Sequence, residues 1–279
     1  MARRLNLVLM AVVVVAAFCA TSTKAQVSVA PTALFLHAQA RVGTLYIGNP
    51  TSTPQEVTIG FRFGYSTADS TGAVYVEFND STAAERYSIA ENVRAFPQRF
   101  ILPPGETQVV RMTARPPADF EEGWMWSRVV TTSTPQVSFQ DTTASGVQAN
   151  LIFRLQQVTA LFYTKGDPEV TLNVVDVSAR VDSNEVIVHA EMNKEGERPF
   201  FGRVNARLQN ADGDVIAEEM NLIAVYVPER RRFVITLPED VSEGQDLQVE
   251  LTITPDRQDI PSEYVLDFSP IVATTPVTW

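Results

Sequence analysis

The segment Phe96–Met112, "FPQRFILPPGETQVVRM", carries the pattern that decides the fold. Two runs of β-forming residues, Gln98–Leu102 and Thr107–Ala114, meet at a Pro-Pro-Gly sequence of the kind that marks a tight turn. We therefore predict a β-hairpin here, one that forms the framework of a β-domain.

Short alternating runs rich in Val, Ile, Thr, Phe and Tyr recur along the chain after residue 26, separated by turn-forming residues. Helical periodicity is nearly absent, with one helical turn indicated at Ala83–Asn92. This pattern is typical of an antiparallel β-sandwich. The other strands predicted in the first half are Gln26–Ala30, Leu34–His37, Ala40–Gly48, Gln55–Tyr65, Val74–Phe78, Gly123–Thr132 and Gln148–Tyr163.

The sequence "YTKGDPEV", residues 163–170, interrupts the pattern after an unusually long strand-like run. We place a domain boundary there, with one immunoglobulin-like sandwich over residues 26–165 and a second β-sandwich over 166–279. The strands predicted in the second domain are Thr171–Val181, Glu185–Glu191, Gly202–Gln209, Val215–Val227, Arg232–Leu237, Asp246–Thr254 and Tyr264–Phe268. The predicted fold class is all-β, with two antiparallel sandwiches.

Residues 1–25 have the order of a cleaved secretory signal peptide. Arg3 and Arg4 precede an apolar run, and small residues lead to a cleavage site after Ala25. The apolar run is short for a membrane span, and no later run is long enough. Cys19, the single cysteine, lies in this run, so the exported chain would depend on its hydrophobic cores without disulfides.

The composition excludes several classes of function. The net charge of −11 argues against a nucleic-acid surface, which needs clustered Lys and Arg. No nucleophile elbow, phosphate-binding glycine loop or zinc-binding histidine pair occurs. The two histidines, His37 and His189, lie in strand-like runs without local ligand partners. We predict a protein that is not an enzyme and that binds neither a cofactor nor a metal.

The aromatic sequence "GWMWSRVV" begins at Gly123. Alternation along a strand places Trp124 and Trp126 on one face. Packing in a core or between domains is the favoured interpretation of this pair. Stacking on a sugar is the alternative.

The opening segment is part of a longer stretch, Ser88 to Val130, that resembles the N-terminal domain of periplasmic pilus-assembly chaperones. The shared features are a strand led by Pro97, a Pro-Gly turn at Gly105 and a strand ending in Arg111. Two flanking pieces support the resemblance. They are "VSVAPTALFLHAQARVGTLYIGNPTSTPQEVTI", with its turn at Asn49, and "ANLIFRLQQVTALFY". Together they cover Val27 to Tyr163.

The resemblance implies donor-strand complementation, in which the chaperone lends the long last strand of its first domain to a pilus subunit. Leu151, Phe153 and Leu155 alternate on one face and would enter the groove of the subunit. From the residues alone, an ordinary core is the favoured interpretation of these three side chains. The implied location is the periplasm. The implied partners are an exported pilus or surface subunit and an outer-membrane usher.

The chain departs from the family at the two cations that hold the terminal carboxylate of the subunit, because the matching positions here are Ala33 and Ala160. Arg41, Arg154 and Lys165 are the candidates to substitute for them. The sequence therefore predicts a divergent chaperone of a secreted subunit. The alternatives are a structural or adhesive surface protein and a carbohydrate-binding module.

Overall fold

The computed structural model describes residues 27–136 and 153–279, which form two β-sandwiches. The predicted all-β fold class is confirmed, whereas the signal peptide lies outside the described residues. Within the described ranges, no helix has the length and apolar character needed to cross a bilayer. The strands of the first sandwich are β1 (Ser28–Ala30), β2 (Ala33–His37), β3 (Val42–Gly48), β4 (Gln55–Arg62), β5 (Tyr65–Ala68), β6 (Val74–Glu77), β7 (Val93–Phe96), β8 (Arg99–Leu102), β9 (Thr107–Ala114), β10 (Gly123–Pro135) and β11 (Leu155–Lys165).

Two sheets of the first sandwich enclose its core. One has the strand order β1-β3-β9-β7 and the other β2-β11-β10-β4-β8, while β5 and β6 form a separate two-stranded ribbon. Alternation sends every second side chain inward, so Leu45 and Ile47 of β3 are fully buried, as is Val57 of β4. The first strand region changes sheets, because β1 pairs with β3 and β2 pairs with β11.

The hairpin predicted around the Pro-Pro-Gly turn is wrong. The two strands that flank the turn lie in opposite sheets, since β8 pairs with β4 and β9 pairs with β3 and β7. The turn therefore crosses the edge of the sandwich. Asn49, buried in the neighbouring turn, holds this crossing in place. Its side-chain Nδ2 donates to the Leu102 carbonyl at 2.9 Å, and its backbone carbonyl accepts from the Gly105 amide at 2.7 Å.

A single short helix, α1 (Ser81–Tyr87), and a 3-10 turn (Ala90–Asn92) occupy the region where the sequence predicted a helical turn. The Asp80 carboxylate caps α1 by accepting from the Ala83 amide at 2.9 Å. Tyr65 also donates its hydroxyl to that carboxylate at 2.6 Å. The helix is thereby fixed against the β5–β6 ribbon.

The second sandwich is a seven-stranded sheet that folds over its own core, with the order β15-β14-β17-β18-β12-β13-β16. The predicted strand Tyr264–Phe268 is wrong, because that region holds a 3-10 turn (Ser262–Tyr264) and irregular chain. The last strand lies further on and was missed by the sequence reading. The strands are β12 (Val170–Asp182), β13 (Glu185–Gly196), β14 (Phe200–Gln209), β15 (Val215–Val225), β16 (Glu229–Thr236), β17 (Gln248–Thr254) and β18 (Ile271–Thr278).

Candidate partner-binding edge and interdomain cleft

Strand β11 has two unlike halves. Residues 160–164 pair with β10 on one side and with β2, in parallel, on the other. Residues 155–159 pair with β10 alone, and no strand in the described part of the chain lies along their other side. We name residues 155–159 the open edge.

The alternation of backbone direction along β11 shows which N–H and C=O groups of the open edge point away from β10. The Ala160 amide points toward β2, where it donates to the Thr32 carbonyl at 3.3 Å. Because the direction of backbone groups alternates along a strand, Val158 and Gln156 direct their N–H and C=O groups toward the same side. Such a row of unpaired groups is a template for another strand.

The predicted donor residues fall at the open edge and just before it. Leu155 is half-buried and opens β11, Phe153 is 63% exposed, and Leu151 lies outside the described residues. Leu155 has the same phase as the core residues Leu161 and Tyr163. Its side chain therefore points to the same side of the sheet as the core residues of the first sandwich, and it is only half-buried there.

The three candidate substitute cations are not next to Ala33 and Ala160. Lys165 is five positions along β11 from Ala160, about 17 Å at strand spacing, and donates to the Phe120 carbonyl at 2.7 Å. Arg154 is exposed at the opposite end of the strand. Arg41 lies in the connection after β2 and donates to the Ala38 carbonyl at 3.3 Å.

The sequence reading missed a different arginine, Arg128. Ala33 and Ala160 are direct neighbours on β2 and β11, and the row continues to Arg128 on β10. All three side chains lie on the face that looks toward the second sandwich. The alternation that aligned Trp124 with Trp126 also includes Arg128, so the signal was present in the sequence.

Arg128 is a buried cation without a carboxylate partner. It is 7% exposed, and it forms no ion pair with any residue in 27–136 or 153–279. Its Nη2 donates to the Tyr226 hydroxyl at a long 3.4 Å, and its Nε has no hydrogen-bond partner there. Burial raises the pKa of Tyr226, so the phenol stays neutral and leaves the charge uncompensated.

Aromatic side chains from both sandwiches fill the cleft beside Arg128. Phe35 stacks on Tyr264 at 4.6 Å between ring centroids, and Trp126 stacks on Tyr87 at 4.2 Å. We name this group the interdomain aromatic cluster. Its members are Phe35, Phe63, Tyr65, Tyr87, Trp124, Trp126, Phe162, Phe201, Tyr226 and Tyr264. The sugar-stacking interpretation is wrong, because Trp124 and Trp126 are buried in this cluster.

Paired charges border the cluster. The Arg198 guanidinium is 3% exposed, lies 4.6 Å over the Trp124 ring and pairs with Asp167 of the linker. Glu229 and Arg231, both buried, pair at 2.5 Å. Burial raises the pKa of Glu229, an effect that Arg231 partly offsets. Each of these two buried arginines therefore has a carboxylate partner at the domain junction, whereas Arg128 has none among the described residues.

The turn after β5 contacts the second sandwich through two backbone carbonyls. The Gly72 carbonyl accepts from the Arg232 amide at 2.9 Å, and the Thr71 carbonyl lies 3.1 Å from Nε2 of His189. Gly72 has φ +81°, and a Cβ there would lie 2.8 Å from the Arg232 nitrogen. Glycine is therefore required at this contact, which fixes one sandwich against the other.

Neither a protein-family model nor a curated protein matches the chain. Among solved structures, it is similar to the CsuC–CsuE chaperone–tip adhesion subunit complex from Csu pili of Acinetobacter baumannii. That alignment has 12% identity and a TM-score of 0.42 over 91% of this chain and 99% of the other. The Pseudomonas aeruginosa CupB2 chaperone aligns at 12% identity and a TM-score of 0.42 over 90% and 100% of the two chains. The YadV chaperone aligns at 9% and 0.44 over 90% and 99%.

The printed names of these neighbours describe chaperones or a complex that contains one. TM-scores below 0.5 describe a distant likeness, so the fold assignment rests on the strand order and register of the chain itself. The site contains one unpaired strand edge, half-exposed apolar side chains beside it and a buried cation in the adjoining cleft.

Proposed function

We propose that this protein is a chaperone of an exported pilus or surface subunit and binds it by strand addition. The observation that carries the proposal is the open edge, residues 155–159 of β11, which pair with β10 and with no other described strand. The family resemblance of Val27–Tyr163 adds the expectation of a strand-donating chaperone. The predicted signal peptide adds the periplasm as its place of action.

Strand addition would proceed through the backbone first. The N–H and C=O groups of Gln156 and Val158 give affinity by pairing with an exposed strand of the subunit. Leu155 and Phe153 lie on the same side of the strand, and their side chains then fill pockets in the subunit. Because main-chain groups carry no sequence information, these side chains set which subunit fits.

The cleft would hold the end of the bound subunit. A carboxylate brought to the row Ala33–Ala160–Arg128 would give Arg128 the counter-ion that it lacks among the described residues. The two alanines leave more room in that row than long side chains would. We assign to Arg128 the anchoring role for which Arg41, Arg154 and Lys165 were the sequence candidates.

A pull-down of periplasmic proteins, followed by identification of the bound subunit, tests the strand addition. Recovery of a folded subunit with the chaperone is expected to fall at least about tenfold for Leu155→Asp combined with Phe153→Asp, since a carboxylate would be forced into an apolar pocket. Val175→Asp, at an exposed position of the second sandwich, is the matched control. Equal recovery with both variants, each folded, would exclude strand donation.

The anchor has a separate test. A peptide copying the last strand of the recovered subunit is compared with its C-terminal amide for binding to the wild type and to Arg128→Met. The wild type should prefer the free carboxylate and the variant should show no preference. Unchanged preference in the variant would remove Arg128 from the site and leave strand addition standing.

A further inference from the structure

The described outward positions of the β1-β3-β9-β7 sheet hold no acidic residue, although the chain contains 33 Asp and Glu and has a net charge of −11. Its outward positions are the even-numbered residues of β1, β3 and β7 and the odd-numbered residues of β9. None of them is Asp or Glu, and two are Arg. Solvated faces of antiparallel sheets are ordinarily polar.

Large apolar side chains occupy adjoining positions on this face. Tyr46 lies directly opposite Val109, and Phe96 lies opposite Arg111 on the other side of β9. Tyr46 and Val109 are half exposed, and Phe96 is 80% exposed. Val42, also half exposed, continues the patch along β3. We name these residues, with Arg94, the basic apolar face.

The two arginines of the face carry free charge. Within residues 27–136 and 153–279, neither Arg94 nor Arg111 forms an ion pair, and Arg111 forms no side-chain hydrogen bond. Arg94 donates to the carbonyls of Glu91 and Val93 at 2.8 and 2.9 Å, which fixes the position of its guanidinium. Aromatic residues and arginine are the side chains enriched at the centres of protein interfaces.

We propose that the basic apolar face is a second docking surface, for a segment of a partner protein that carries carboxylates beside apolar side chains. Charge complementarity selects this occupant, because Arg94 and Arg111 are the charged residues among the described outward positions of the face. A second copy docking by the same face would place arginine against arginine. An anionic membrane is attracted by larger basic clusters, of about four to eight residues.

The surface is independent of the open edge, since it belongs to the other sheet of the first sandwich. A titration followed by backbone amide resonances tests it, with two blocked synthetic peptides as probes. One alternates Glu with Val and contains a central Phe, and the other has Lys in place of each Glu. The acidic peptide should shift the amides of Tyr46, Val109 and Arg111, and the basic peptide should not bind.

Charge reversal provides the decisive comparison. Arg111→Glu should weaken binding of the acidic peptide at least about tenfold, whereas Arg230→Glu, at an exposed strand position of the second sandwich, should leave it unchanged. Equal binding of both peptides, no binding of either, or shifts confined to β11 would overturn the proposal. So would Arg111-dependent sedimentation with phosphatidylglycerol vesicles in the absence of acidic-peptide binding.

Discussion

The two halves of β11 show how one strand serves both folding and binding. Residues 160–164 lie between two strands and beneath the second sandwich, and Leu161, Phe162 and Tyr163 are buried. Residues 155–159 keep one strand neighbour and expose part of their side chains. The comparison shows that β2 covers only the second half of β11, and that the first half is left with one strand neighbour. Substitutions on either side of Ala160 should therefore separate stability from recognition.

The largest effect is expected in the closed half. Phe162→Ala would leave a cavity in the interdomain aromatic cluster, where Phe162 contacts rings from both sandwiches. The free energy of unfolding should fall by about 3–5 kcal/mol, as measured by denaturant unfolding. Trp279→Ala, at a half-exposed terminal ring, is the control. A loss below about 1 kcal/mol would show that the cleft is not a packed core.

The next effect concerns the linker that follows β11. Asp167 is largely exposed, whereas its partner Arg198 is buried and cannot lose its proton. Asp167→Asn should therefore destabilise the protein by about 1 kcal/mol, because a buried charge loses its partner. Arg198→Met should cost more, because it also removes the hydrogen bond to the buried Tyr264 carbonyl and the contact with the Trp124 ring. The reverse order in chemical unfolding would contradict this account of the junction.

A smaller effect is expected at α1, which covers Trp126 through Tyr87. The Ala83 amide and the Tyr65 hydroxyl hold the pKa of Asp80 below its ordinary value of 3.8. The cap therefore contributes fully above that value, and its contribution is lost as the pH falls through the lower pKa of the folded state.

Asp80→Ala should cost about 1 kcal/mol at neutral pH and should be indistinguishable from the wild type once the carboxyl is protonated. Unfolding curves at pH 7 and at a series of acidic pH values below 3.8 measure how the difference between the two proteins falls. An equal gap at all of these pH values would show that the cap does not depend on charge.

The smallest effect on stability is expected in the open half. Val158 is 44% exposed on the face opposite to Leu155, and Val158→Asp should change the free energy of unfolding by less than about 0.5 kcal/mol. Subunit recovery should also fall less than with Leu155→Asp, because the pockets of a bound strand receive side chains of one phase. Equal losses of recovery would show that phase does not matter at this edge.

Alternation and turn residues in the sequence were sufficient to predict most of the strands, and β9 was predicted with its exact bounds. They could not predict which sheet each strand joins, because pairing depends on contacts distant in sequence. The supposed hairpin at Gly105 failed for that reason, since the tie to Asn49 is made 56 positions away. The short strand Val93–Phe96 was missed because four residues are too few to show a period.

For the candidate site, too, the sequence predicted some features, whereas others depend on how the two domains pack. Phase alone grouped Leu155 with Phe153, and the register later set Ala33 beside Ala160. Arg128 was overlooked because its burial against Tyr226, a residue of the other sandwich, leaves no trace in the sequence. A sequence shows that an arginine is present, but whether its charge has a partner depends on the packing of the two domains.

The path of residues 93–114 has a consequence for how the first sandwich opens. The chain runs through β7 in one sheet, β8 in the other and β9 back in the first, with connections of a few residues. Because this short segment contributes strands to both sheets, one sheet cannot separate from the other without breaking strand pairs in both. Amide hydrogens of the two sheets should accordingly exchange through one shared unfolding event, whatever happens at the open edge.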